Sequence, residues 1–155
     1  MIKVIVVSDT HRHIDILNQI QLLEQADYYL HAGDSGIPET SLSPYIGVRG
    51  NCDWYAYPNY RLIDIGEVRI FITHGHLYLK NRLLQLAKQT KSKIVITGHT
   101  HIPFIVQEEN IYFCNPGSPN YPRGKEGPSY ARILIDDQNQ IDIQIILLED
   151  KNERK

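Results

Sequence analysis

Five short polar knots punctuate the chain: Asp9-Thr10-His11, Gly33-Asp34, Gly50-Asn51-Cys52-Asp53, His74-Gly75-His76 and Gly98-His99-Thr100-His101. Two histidines one residue apart, as at His99 and His101, are costly to place beside a core unless something binds them. A divalent metal does so well, because neutral imidazole is the commonest protein metal ligand. Asp9, His11, Asp34, Asn51, His74, His99 and His101 together offer seven oxygen and nitrogen ligands. That number could hold two divalent ions about 3.5–4 Å apart with one carboxylate shared. Carboxylate and imidazole donors suit manganese, the favoured choice, and also nickel, zinc, iron or cobalt. The lack of thiolates argues against a structural zinc. Asp9 and Asp34 facing two dications leave a formal excess of positive charge, which can activate water and hold a phosphoryl oxygen. Metal-assisted phosphoester hydrolysis requires both.

Such ligands need elements that deliver them to one place. Ile2 to Val7 is β-branched and nearly continuous, which suits a strand covered on both faces. From Ile14 the period changes to helical, with Ile16, Leu17, Ile20 and Leu23 marking a helix over 14–26. Tyr28 to Ala32 reads as a second strand, so the chain opens with a βαβ unit. Residues 35–45 form a loop or short helix, and Tyr45 to Arg49 is a short strand. Tyr60 to Ile65 and Val68 to Thr73 flank Gly66-Glu67, a pair suited to a type II′ hairpin. A helix over 79–90, a strand over 94–97 and hairpins over 104–114 and 130–148 complete the reading. Every candidate ligand lies just past an apolar run, and parallel strands bring such ends to one edge of a sheet. The mixture of alternating and antiparallel segments predicts two packed sheets with helices outside. Residues 1–150 read as a single domain, with 151–155 a charged C-terminal tail.

Composition narrows the class without naming the substrate. With 155 residues, 42% of them apolar and 22% charged, the chain can bury a substantial core. A formal charge of −2 gives no electrostatic case for nucleic-acid or membrane-surface binding. Nucleic acid enters only as a substrate, and a homodimer is compatible with the sequence. Cys52 and Cys114 form no C-x-x-C pattern, no targeting segment is visible, and the expected location is the cytoplasm.

The five knots, in this order, resemble the motifs of the calcineurin-like metallophosphoesterase superfamily. The chain looks most like the superfamily's small bacterial and archaeal phosphodiesterases, which resemble the metallophosphoesterase-fold subunit of the retromer coat. Asn115-Pro116-Gly117-Ser118 extends the likeness. The resemblance implies an α/β fold, a four-layer α/β/β/α sandwich with two mixed central sheets. It implies that Asp9, His11 and His101 bind one metal, that Asn51, His74 and His99 bind the other, and that Asp34 bridges. Asn51, His74 and Asp34 are the residues it places in catalysis. The reaction it implies is in-line attack on a phosphodiester by a metal-bridging hydroxide.

Where many superfamily members carry His after the Asn, this chain has Cys52, and a thiol is a weak donor. His76, His13 or water are the remaining proton sources, and Cys52, Asp53, His76 and His13 are candidates to support the metal ligands or touch substrate. Each also has a plainer reading. His13 and His76 suit loop histidines, Cys52 a packed small residue, and Asn51 after Gly50 a left-handed turn. His31 lies inside a strand and suits a hydrogen-bonded core position. Trp54, Tyr55, Tyr57 and Tyr60 suit a substrate rim, core packing or an oligomer contact. A scaffold of the same fold with a silent metal site is the alternative function. Ligand completeness speaks against it, because all seven positions carry the expected residue types.

Overall fold

The computed structural model describes residues 1–148. The expected charged tail at 151–155 lies outside them. Alternation along the first strand, β1 (Ile2–Val7), generates the layering. Val4 and Val6 point one way, into a core shared by both sheets, while Ile5 and Val7 point the other way, under a helix. That helix is α1 (Ile14–Glu24), whose Leu17 and Ile20 close the outer face together with Tyr29, Tyr45 and Tyr130.

The first sheet has the order β10-β9-β1-β2-β3, with β2 at Tyr28–His31, β3 at Tyr45–Gly47, β9 at Ser129–Ile135 and β10 at Ile141–Leu147. β1, β2 and β3 run parallel, and β9 and β10 close the sheet antiparallel. The second sheet has the order β4-β5-β6-β8-β7, with β4 at Tyr60–Ile65, β5 at Val68–Thr73, β6 at Ile94–Ile96, β7 at Phe104–Glu108 and β8 at Ile111–Asn115. Here β5, β6 and β8 are the parallel set. Ile70, Ile72, Ile94, Ile96 and Cys114 meet Val4, Val6, Leu30 and Ile133 in the intersheet core. Helix α3 (Lys80–Thr90) covers the outer face of this sheet with Leu83 and Ala87 on Phe71, Val95 and Phe113. The result is the four-layer α/β/β/α sandwich, with one further short helix, α2 (Glu39–Leu42), before β3.

Gly66 has φ +59°, as the first turn position of the expected β4–β5 hairpin requires. The aromatic run after Asp53 divides by environment. Tyr57 is buried and its hydroxyl donates to the Ile37 carbonyl at 2.7 Å, so it belongs to the core and not to a rim. Tyr60 stacks on Phe71, and Trp54 stands 93% exposed.

Candidate metal centre

Six parallel strands end at the same rim of the sandwich, three from each sheet. The turns after β1, β2 and β3 carry Asp9, His11, Asp34 and Asn51. Those after β5 and β6 carry His74, His99 and His101. The backbone there is unusual for residues with a Cβ. Asp9, His11, Asp34, His99 and His101 all have positive φ, between 46° and 72°. Each costs roughly 1 kcal/mol or more relative to an ordinary turn and persists only where its surroundings enforce it. The left-handed turn expected at Asn51 is absent, and the conformation falls on its neighbours in the site instead.

Two glycines admit this crowding by close approach. A Cβ on Gly50 would stand 2.1 Å from Asp34 Oδ1, and one on Gly98 would stand 2.0 Å from Ser8 Oγ and 2.8 Å from Asp9 Oδ2.

Asp9 is fully buried. Its Oδ2 accepts from Ser8 Oγ at 2.6 Å and from the His99 N–H at 3.0 Å. Its Oδ1 makes no hydrogen bond, although His101 Nε2 lies 3.2 Å away and His74 Nε2 3.7 Å away. The reason lies on the far side of each ring. His101 Nδ1 is 2.6 Å from the Tyr121 carbonyl, and His74 Nδ1 is 2.8 Å from the Ala32 carbonyl. A carbonyl only accepts, so both Nδ1 atoms carry hydrogen, and in the neutral rings Nε2 presents a lone pair. His74 Nε2 then faces three acceptors: Asn51 Oδ1 at 2.9 Å, Asp34 Oδ2 at 3.3 Å and Asp9 Oδ1. Lone pairs converging in a buried space repel unless a positive charge sits among them. Burial depresses the His74 pKa, but Asp34 and Asp9 outweigh it, and the net shift is upward. This donor set is deficient by a cation, and the residues fit divalent metal.

Asp34 lies between the two sides. Its Oδ2 is 3.3 Å from His74 Nε2 and 3.9 Å from His11 Nε2, and its Oδ1 accepts from the Cys52 N–H at 2.8 Å. Burial raises its pKa, but hydrogen bonding and charge from His74, with the Cys52 amide, bring the carboxyl down to about 2. Two compact triads emerge, Asp9–His11–His101 and Asp9–Asp34–His74, so Asp9 is common to both here while Asp34 reaches both histidine groups. Asn51 Oδ1 also meets His99 Nδ1 at 3.0 Å. His99 thus faces Asn51 and His74, while His101 faces Asp9.

The supporting candidates separate. Asp53 accepts three backbone N–H groups: Gly50 at 2.8 Å, and Asp34 and Gly36 at 3.0 Å each. It shapes both turns that present Asp34 and Asn51. Cys52 is exposed and not packed, because its turn leads the side chain out of the sandwich. Its thiol pKa is raised by desolvation and by the Asp34 charge. His76 is half-buried against His74 and His99, with ring centroids 5.3 and 6.3 Å away. His13 is exposed, its Nε2 2.8 Å from the Tyr121 hydroxyl. His31 is buried, with Nε2 2.9 Å from Thr10 Oγ1 and Nδ1 accepting from the Gly33 N–H. Burial first, then the neighbouring His74, lowers its pKa to about 3.

Residue types alone missed the loop after β8. Ser118 Oγ donates to the Asp9 carbonyl at 2.9 Å and accepts from the Tyr121 N–H, whose own carbonyl holds His101. Asn115 Nδ2 donates to the Gly98 carbonyl at 2.9 Å and to Thr100 Oγ1 at 3.1 Å, pinning the turn that carries His99. Only the polar Asn115…Ser118 turn after an apolar strand signals this support in sequence.

Comparison with known proteins agrees with the geometry. Residues 2–138 match the calcineurin-like phosphoesterase superfamily domain. A Methanothermobacter thermautotrophicus protein named "Probable metallophosphoesterase" is 33% identical over 91% of this chain and 90% of its own. The Escherichia coli protein "Phosphodiesterase YfcE" is 33% identical over 57% of this chain and 51% of its own. A Streptococcus pneumoniae crystal structure, described as a predicted phosphoesterase, superposes with a TM-score of 0.85 at 31% identity. It covers 94% of this chain and 89% of that one.

Proposed function

This chain belongs to the calcineurin-like phosphoesterase superfamily, and from that membership we propose that it is a phosphodiesterase working with two divalent ions. The observation that carries the reading is His74 Nε2, hydrogen-free in the neutral ring and aimed at three oxygen acceptors. Asp9, His11 and His101 would hold one ion, and Asn51, His74 and His99 the other, with Asp34 placed to serve both. When bound, the ions supply an activated water for in-line attack at phosphorus and positive charge for the phosphoryl oxygens.

The chain's own groups set the orientation. The Ala32 and Tyr121 carbonyls fix the tautomers of His74 and His101. With its Oδ1 turned inward to the two imidazoles, the Asn51 side chain keeps its Nδ2 N–H groups on the exposed side. There they can donate to a phosphoryl oxygen. The Cys52 thiol, its pKa raised, stays protonated and is a weak donor. Where neither His76, His13 nor water protonates the leaving group, the rate falls steeply as the leaving-group pKa rises. Preference for diesters over monoesters is supported by the phosphodiesterase among the relatives.

The test is hydrolysis of bis-p-nitrophenyl phosphate with and without Mn²⁺ or Ni²⁺, beside His99→Ala. Metal-dependent turnover that the variant loses is expected. Equal and negligible rates in every sample would favour a protein-binding scaffold instead.

A further inference from the structure

The two flanks of the metal centre differ in charge. On the His11 side the walls are Arg12, Tyr121, Pro122 and Arg123, with Trp54 and Tyr55 beside Arg12. On the His99 side a cavity of about 430 Å³ begins at Gly98 and His99 and runs outward between α3 and β7. Its walls are Tyr78 and Leu83 on one bank, Phe104 and Val106 on the other, and Phe113 between them. Phe104 and Val106 stand 38% and 41% exposed on an edge strand. Large apolar side chains left open together in this way mark a surface that something covers. The single lysine of the lining, Lys80, is held at the rim by Glu108 at 3.3 Å, with Nζ 5.9 Å from the Phe113 ring centre.

We propose that this groove is the subsite for an apolar arm of the phosphodiester, an alkyl or aryl ester group leaving the metal centre past His99. The inference rests on the phosphodiesterase reading. Continuity selects the occupant, since His99 is at once a wall of the groove and a member of the metal centre. A group esterified to a phosphate held there emerges directly against Phe104 and Val106. Capacity agrees, because about 430 Å³ lies within the usual range of small-molecule sites. Charge assigns the direction. On the His99 side an apolar arm meets a mostly apolar wall, with Thr97, Thr100 and Asn115 also in the lining, whereas on the other flank it would displace water from two guanidinium groups. The natural substrate is therefore an unsymmetrical diester with one hydrophobic arm.

The probe is a series of n-alkylphosphonates from methyl to hexyl, tested with the full Mn²⁺-loaded chain. Each phosphonate has one arm, so no second apolar group competes for the groove. Inhibition constants against bis-p-nitrophenyl phosphate are expected to fall about fourfold for each methylene buried. Direct calorimetry should give the same gradient with an increasingly negative heat-capacity change. Val106→Thr and Phe104→Ser flatten the gradient, and the near-isosteric Val106→Thr keeps the test valid if the serine variant folds poorly. A flat series on the wild-type chain, with bis-p-nitrophenyl phosphate still turned over, overturns the groove assignment and leaves the phosphodiesterase reading standing. A flat series together with a dimer that the two variants dissociate gives the groove to a second copy, and also overturns it. No turnover of the diester at any metal loading overturns both readings.

Discussion

Replacing Asp53 should cost both stability and metal affinity, although this side chain belongs to neither proposed ligand set. It is 6% exposed, and its two oxygens accept from Gly50, Asp34 and Gly36 backbone N–H groups at 2.8–3.0 Å. Hydrogen bonds to a charged acceptor contribute roughly 1.5 kcal/mol each net, so Asp53→Ala loses about 4.5 kcal/mol and strands three donors. For a chain of this length that is a fall in Tm of about 14 °C. Asp53→Asn keeps one oxygen. Its best orientation serves Gly50 and Asp34, which share Oδ2, and sets an NH2 against the Gly36 N–H. The expected cost is about 1–2 kcal/mol. Asp34 and Asn51 both shift when this anchor goes, so Mn²⁺ affinity should drop about 10- to 100-fold. Urea denaturation and calorimetric Mn²⁺ titration of the three proteins measure these effects. A loss of less than about 1 kcal/mol in Asp53→Ala, or a Mn²⁺ affinity within a factor of about two of wild type, would refute this anchoring role.

The Glu24 carboxylate, at the end of α1, tests a site remote from the rim. Burial raises its pKa, but Arg132 at 2.7 and 3.0 Å, the Tyr130 hydroxyl and Lys3 outweigh burial and hold it below the ordinary value. A depressed folded pKa stabilises above the unfolded value of about 4.3 and is lost as pH falls through the folded one. Glu24→Gln should therefore cost about 2 kcal/mol at neutral pH, and the gap from wild type should close in acid denaturation below about pH 4. Gly98→Ala drives a methyl into Ser8 Oγ and Asp9 Oδ2, and should cost about 1–3 kcal/mol with most of the metal affinity. Gly124→Ala, where the nearest atom is the end of the exposed Glu126 side chain, should stay within about 0.5 kcal/mol in the same melts. Saturating Mn²⁺ at about 100 times its Kd should add about 2.7 kcal/mol per ion, a rise of roughly 8 °C per ion that chelator reverses. An unchanged melting curve would refute metal binding at the rim.

Much of the frame was legible in the residues. The β4 and β5 boundaries follow from alternation around Gly66, because a type II′ turn leaves one register for the strands. Both long helices follow from apolar spacing, although α1 stops at Glu24 and α3 begins one residue after Leu79. The convergence of ligand-type residues was legible because parallel strands share a rim. Three things were not. Tyr57 and Trp54 look alike in sequence, and only the packing of Ile37 over one of them separates core from surface. The support from Ala32 and Tyr121 is supplied by carbonyl groups, which every residue has, so no residue type announces it. The left-handed backbone falls on Asp9, Asp34 and the histidines because packing from both sheets enforces it, against the local preference that pointed to Asn51.

The rim residues are divided between the sheets: Asp9, His11, Asp34 and Asn51 come from one, and His74, His99 and His101 from the other. Neither half carries both members of the Asp9–His101 or Asn51–His74 pairs. Each sheet alone offers only part of either proposed donor set, so a complete site needs the two sheets packed through Val4, Val6, Ile70 and Ile94. An ion held there would tie together two sheets otherwise joined mainly by apolar contact, as a rivet joins plates.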